Sequence, residues 1–200
     1  MKRVLGWGII MHQMHYPNIL AFVEGSMEQL FLNNNFHYVE VIPVSNGVSW
    51  TMAALAQQIV TFFKARDSNA DAFVVWVDRE KRQESSQVIS DYIRSSLINA
   101  GAEKDKIHIL VCDIMTENII LADEQYIISK FNLDNYKYCH EGVGGKRYLK
   151  EMFLECGEHY RETRHGVSAL KAIRLDRCAK ASPAVSSFLA TFGFSCWWIE

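Results

Sequence analysis

The chain has 200 residues, 49% of them hydrophobic and 22% charged, with only 3 prolines; that is enough for one well-buried domain and excludes a disordered or low-complexity chain. A formal net charge of -2 excludes a uniformly basic nucleic-acid binder. Five scattered cysteines with no CxxC pair exclude a disulfide scaffold and fit a reducing cytoplasm.

The basic start Met1-Lys2-Arg3 and the apolar run to Met11 look like the front of a signal peptide. The run is short, and no small-residue cleavage site precedes His12 and His15. Residues 1–18 are therefore predicted as an N-terminal extension, an extra strand or an extended arm. No apolar stretch is long enough for a bilayer, so no membrane partner is expected.

Asn18 to Val23 is short and apolar and ends at Glu24-Gly25, which predicts a buried strand, a tight turn and a helix through Leu30, Phe31 and Leu32. His37 to Val44 alternates in part and runs into Ser45-Asn46-Gly47, a second strand and a loop. Met52, Leu55, Ile59 and Phe63 have helical spacing, with Ser49 placed to cap a helix over Ser49 to Phe63. Ala72 to Val77 is continuously apolar, as expected of a central parallel strand, and it runs straight into Asp78-Arg79-Glu80. A helix over Ser85 to Ala100, closed by Gly101, and a fourth strand over Ile107 to Cys112 follow.

Strands alternating with helices predict βαβ units and a mostly parallel sheet flanked by helices, an α/β core over 19–116. Beyond Glu117 the periodicity is helical: Ala122 to Phe131, Arg147 to Cys156, Gly166 to Ile173, and a start at Ser182-Pro183. Residues 117–200 are predicted as a helical C-terminal lobe packed on the core. Charge divides along the same line. Lys137 to Lys180 holds ten Lys and Arg against six Asp and Glu, and the rest holds eleven against seventeen. A basic lobe facing phosphates beside an acidic core and ordinary surface variation both fit this asymmetry.

Ligands in open α/β sheets bind outside the carboxyl ends of the strands. Glu24 ends the first apolar run with Glu28 one helical turn on, and Asp78 ends the central run with Glu80 two residues later. If the two strands are neighbours, four carboxylates converge, and their repulsion is relieved by a divalent cation. The chain offers no Cys/His cluster of zinc type; His12 with His15, and Cys156 with His159, lack partner ligands. Oxygen donors suit Mg²⁺ or Mn²⁺ and phosphodiester chemistry, with one or two cations about 4 Å apart. Taken singly, each pair fits a helix cap or a residue favoured by the helix dipole equally well.

Phe22-Val23-Glu24-Gly25-Ser26-Met27-Glu28, followed by Val75-Trp76-Val77-Asp78-Arg79-Glu80, resembles the OLD-type TOPRIM domain. Glu117-Asn118-Ile119-Ile120-Leu121-Ala122-Asp123, then His159 to Gly166, then Ser182 to Phe192, are similar in kind and order to segments of small stand-alone bacterial TOPRIM proteins of uncharacterised function. The resemblance covers residues 19 to 192. It implies a TOPRIM-like core with Glu24, Glu28, Asp78, Glu80 and Glu117 as Mg²⁺ or Mn²⁺ ligands; Glu80 departs from the commoner Asp. It also implies a nuclease effector held or released by an AAA- or ABC-type ATPase in anti-phage defence. No GxxxxGK[ST] motif occurs, so any ATPase is another subunit, and self-association is left open.

Lys146 joins Glu24 and Asp78 in the expected catalytic set. Lys146, Arg147 and Lys150 follow Gly142-Val143-Gly144-Gly145, and with Arg161, Arg164, Lys171 and Arg174 they form the expected nucleic-acid contacts. A solvated helical face fits them too. His140 and His165 are further candidate substrate contacts, and Ser45 to Ser49 a candidate phosphate turn. Trp197-Trp198-Ile199 fit either core or a partner patch. Two other functions stay open: a non-catalytic regulatory or scaffold subunit with a degenerate TOPRIM core, and a primase- or topoisomerase-like phosphoryl transfer.

Overall fold

The computed structural model describes residues 18–45, 51–66 and 69–192. Four strands, β1 (Ile19–Val23), β2 (Val39–Pro43), β3 (Ala72–Asp78) and β4 (Ile107–Cys112), form one sheet in the order β2-β1-β3-β4. Every pairing is parallel, as the continuous apolar runs required. The register sets Val23 beside Pro43 and Trp76, and Asp78 beside Cys112.

Alternation along each strand serves two cores, because successive side chains point to opposite faces. Leu20, Phe22, Phe73, Val75, Val77, Ile109 and Val111 face α2 (Met52–Lys64) and α3 (Ser86–Asn99). These helices bury Leu55, Ala56, Ile59 and Val60, and Ile89, Ile93 and Leu97, at three- and four-residue spacing. The hydroxyls of Thr51 and Ser85 accept the N–H groups of Ala54 and Val88, capping α2 and α3. Ser49, expected as the cap of α2, lies outside the described residues, as do 46–48, His12, His15 and Trp197-Trp198-Ile199. Gly101 closes α3 at φ 105°, its N–H bonded to Ile98 and that of Ala102 to Leu97, the paired bonds of a left-handed glycine stop.

The opposite face, with Ile19, Ala21, Val23, Val74, Trp76, Leu110 and Cys112, is covered by α1 (Ser26–Asn35) and by the helices of the second half. Those are α4 (Glu117–Ala122), α5 (Glu124–Phe131), α6 (Gly145–Glu155), α7 (Val167–Ala172), α8 (Leu175–Cys178) and α9 (Pro183–Leu189), with a π-helical turn at Glu162–Gly166. Leu149, Phe153, Leu170, Leu175, Val185 and Phe188 share one core with Trp76 and Leu110. The residues after 117 thus form the second layer on the sheet.

The predicted helix over Ala122 to Phe131 starts at Glu124 as α5, and Ala122 ends the separate helix α4. The side chain of Asp123, fully buried, accepts the backbone N–H groups of Tyr126 and Arg174 and the guanidinium of Arg177 at 2.6 Å, so the chain breaks there to serve it. The predicted helix over Gly166 to Ile173 starts at Val167, and Pro183 takes the first turn of α9. Among the described residues no helix is long and apolar enough to cross a membrane.

Candidate metal centre

The strand order switches direction between β1 and β3: from β1 the sheet continues to β2 on one side, and from β3 to β4 on the other. The carboxyl ends of such a pair leave a crevice. Here it is a cleft of about 530 Å³ whose charged lining is Glu24, Asp78, Glu80, Glu117, Glu162 and Lys146.

Glu24, just past β1, is held from two directions. Its Oε2 accepts the backbone N–H of Asp78 at 3.3 Å, and its Oε1 lies 2.7 Å from Nη2 of Arg82. The side chains of Arg82 and Glu24 are only 3% and 8% exposed, so this ion pair is buried. Nη1 of Arg82 also donates to the carbonyl of Asp78. Arg79 braces the same loop, with Nη2 at 3.1 Å from Oδ1 of Asp113 and Nη1 at 3.3 Å from the carbonyl of Arg82.

Glu28 is buried beneath the turn. A Cβ on Gly25 would sit 2.1 Å from its Oε2, so the glycine is what lets the carboxylate fold back. Thr116 ties the centre together. Its hydroxyl accepts Nε1–H of Trp76 at 3.1 Å and donates to Oδ1 of Asp78 at 3.0 Å, with Glu28 close by. Glu117 begins α4 and accepts the hydroxyl of Tyr160 at 3.3 Å. Lys146, from α6, is paired with Glu162 of the π-helical turn.

Two strained residues hold the rim. Glu80 and Ile114 adopt φ of 50° and 58°, a region that is costly for a β-branched residue, and the N–H of Glu80 bonds the carbonyl of Ile114 at 2.6 Å.

Burial raises the pKa of Glu28 to about 7, with Glu117 and Glu162 adding repulsion. Burial, then the charges of Glu28, Glu117 and Glu24, push Asp78 well above the usual carboxylate range. Glu117 and Glu24 are raised by burial as well, in Glu24 against the pull of Arg82. Burial works to lower Lys146, but Glu162, Glu117 and Asp78 outweigh it and strengthen its hold on the proton.

Glu24, Glu28, Asp78, Glu80, Glu117 and Glu162 thus gather against two cations, Arg82 and Lys146, each already engaged by one carboxylate. Among the described residues none of Glu28, Asp78, Glu80 or Glu117 is in an ion pair. The surplus of hard oxygen donors fits a divalent cation in charge and in chemistry. Geometrically the fit is to fewer ligands than expected: among the described residues no three acidic, histidine or cysteine side chains form a ready ligand group, and Glu24 faces an arginine.

Of the expected basic contacts only Lys146 lines the cleft. The Arg147 guanidinium lies 4.9 Å from the Tyr148 ring centre and 3.6 Å from Glu151, and Lys150, Arg161, Arg164 and Lys171 are exposed elsewhere. Arg174 is turned away: its backbone N–H serves Asp123 and its side chain Asp176. His140 and His165 pack rather than project. His140 lies 4.0 Å from the ring of Tyr148, and His165 stacks 4.7 Å from Phe153 while its Nδ1 accepts the N–H of Arg161. Sequence reasoning missed Arg82, Thr116, Tyr160 and Glu162. The one signal to hand was that converging carboxylates need a counter-charge, and Arg82 stands four residues past Asp78.

Fold and cleft together define a parallel α/β protein with an acidic crevice at the switch point of its sheet. No family model, curated protein or solved structure matches the chain, so the likeness to OLD-type TOPRIM domains rests on its motifs alone.

Proposed function

We propose that this protein is a divalent-cation-dependent nuclease acting on DNA or RNA. One observation carries the reading: Asp78 and Glu117 line the switch-point cleft with Glu28 buried beside them, and among the described residues none of the three is in a salt bridge. Asp78 and Glu117 at the cleft wall, with Glu28 behind them, would hold Mg²⁺ or Mn²⁺. A bound cation supplies polarisation of a phosphoryl oxygen and activation of water. Lys146, kept protonated by its acidic neighbours, offers a cation to a substrate phosphate at the same wall. Glu24 enters this reading as the partner of Arg82.

The test is cleavage of plasmid DNA and of a structured RNA in Mg²⁺ and in Mn²⁺. Asp78→Asn and Glu117→Gln are expected to lower the rate by at least about a hundredfold with circular dichroism unchanged. Full activity in both variants ends the proposal.

The buried Glu24–Arg82 pair favours one other reading, a non-catalytic subunit with a degenerate centre. Its partner would be the AAA- or ABC-type ATPase, and its setting the anti-phage defence, that the motif resemblance implies. A folded chain that binds neither Mg²⁺ nor Mn²⁺ would decide for it.

A further inference from the structure

We infer that Arg82 is the permanent cation of this cleft: it withdraws Glu24 from the ligand set, so the cleft takes one divalent ion rather than two. The inference rests on the nuclease reading for the ion at Asp78, and it concerns the number of ions and the ligands that hold them.

Arg82 is almost fully enclosed, and its fork spans Oε1 of Glu24 and the carbonyl of Asp78. A guanidinium keeps its charge at every relevant pH, so no protonation event releases Glu24. The second oxygen of Glu24 accepts the backbone N–H of Asp78, so each oxygen already has a donor. The arginine is itself anchored, because Arg79 holds the carbonyl of Arg82 while gripping Asp113. A cation seeking Glu24 must therefore share it with a buried, braced guanidinium and tolerate that charge nearby. Asp78, Glu117 and Glu28 present no such obstacle. The chain thus supplies from its own side chain the neutralising charge that a second ion would bring.

Mn²⁺ titration of the purified chain, by calorimetry and by the loss of the free-ion electron spin resonance signal, tests this. The wild type is expected to bind one Mn²⁺ per chain. Glu24→Gln, which keeps an acceptor for Arg82, should keep that stoichiometry with affinity within about threefold, whereas Asp78→Asn should lose at least about a hundredfold. Arg82→Met, which keeps the bulk and removes the charge, should bind two ions, and adding Glu24→Gln to it should restore one. Two ions in the wild type, or a loss of tenfold or more in folded Glu24→Gln, overturns the inference and leaves the nuclease reading standing. No ion bound by the wild type overturns both. Should Arg82→Met fail to fold, the wild-type stoichiometry and the Glu24→Gln affinity decide between one ion and two.

Discussion

Folding puts Glu28 where its charge is expensive, and the cost depends on pH. Its pKa rises from an ordinary 4.5 in the unfolded chain to about 7 in the folded one. Between those values the folded state holds the proton more tightly, so stability falls as pH rises through that window and levels off above it. Glu28→Gln should therefore gain stability at pH 8, on the order of 2–3 kcal/mol, and little at pH 4.5; paired urea titrations at the two pH values check it. A gain independent of pH would mean that the buried charge is not what the substitution removes. Mg²⁺ at millimolar concentration should raise the wild-type melting temperature at pH 8 and do so far less in Asp78→Asn, since a ligand bound only to the folded state stabilises it. Glu24 and Asp78 were legible because strand ends are readable from apolar runs, whereas Glu117, at the start of α4, came only from the motif resemblance. Arg82 was not, because its role depends on the turn after Asp78, where Glu80 takes a left-handed φ that no periodicity announces.

Elements were legible wherever a repeat spoke for itself. The continuous run of β3 and the three- and four-residue spacing in α2 and α3 come from burial within and against the sheet. The segment after Glu117 was harder, because its breaks are set by distant partners, as with Asp123 and Arg177. Asn118 is the clearest case. Its side chain donates to the carbonyls of His140 and Val143 and accepts the N–H of Gly145, so α4 fixes the loop that launches α6 and carries Lys146 to the cleft. A Cβ on Gly145 would lie 2.8 Å from the backbone N of Asn118. Gly145→Ala should gain up to about 1 kcal/mol of helix propensity and lose about 1–3 kcal/mol to overpacking. A lower melting temperature is expected, with weaker Lys146-dependent substrate binding, measured by fluorescence anisotropy with a labelled oligonucleotide. A more stable variant with unchanged binding would show that α6 shifts without cost.

At the scale of the molecule, the sequence drew a border near residue 117 that the packing crosses. The helices beyond it share the cover of one face of the sheet with α1, with α7 against α1 and α9 against β4. Without them that face keeps only α1, and its apolar side chains, Leu110 and Trp76 among them, lose part of their cover. At up to about 1.5–3 kcal/mol for each large apolar side chain uncovered, the loss is several kcal/mol, comparable with the whole stability of an ordinary domain. A fragment of residues 1–116 should therefore bind a hydrophobic dye and unfold in urea without a sharp transition, whereas the full chain should show one cooperative transition. A fragment that unfolds cooperatively, with a slope proper to its length, would establish the first half as a domain in its own right. The cleft shares this dependence: Glu117, Lys146, Tyr160 and Glu162 all come from beyond the border, and Glu24, Glu28 and Asp78 from before it. Mixing the two halves as separate chains should restore Mn²⁺ binding only to the extent that they reassemble, so the metal titration also reports on the fold.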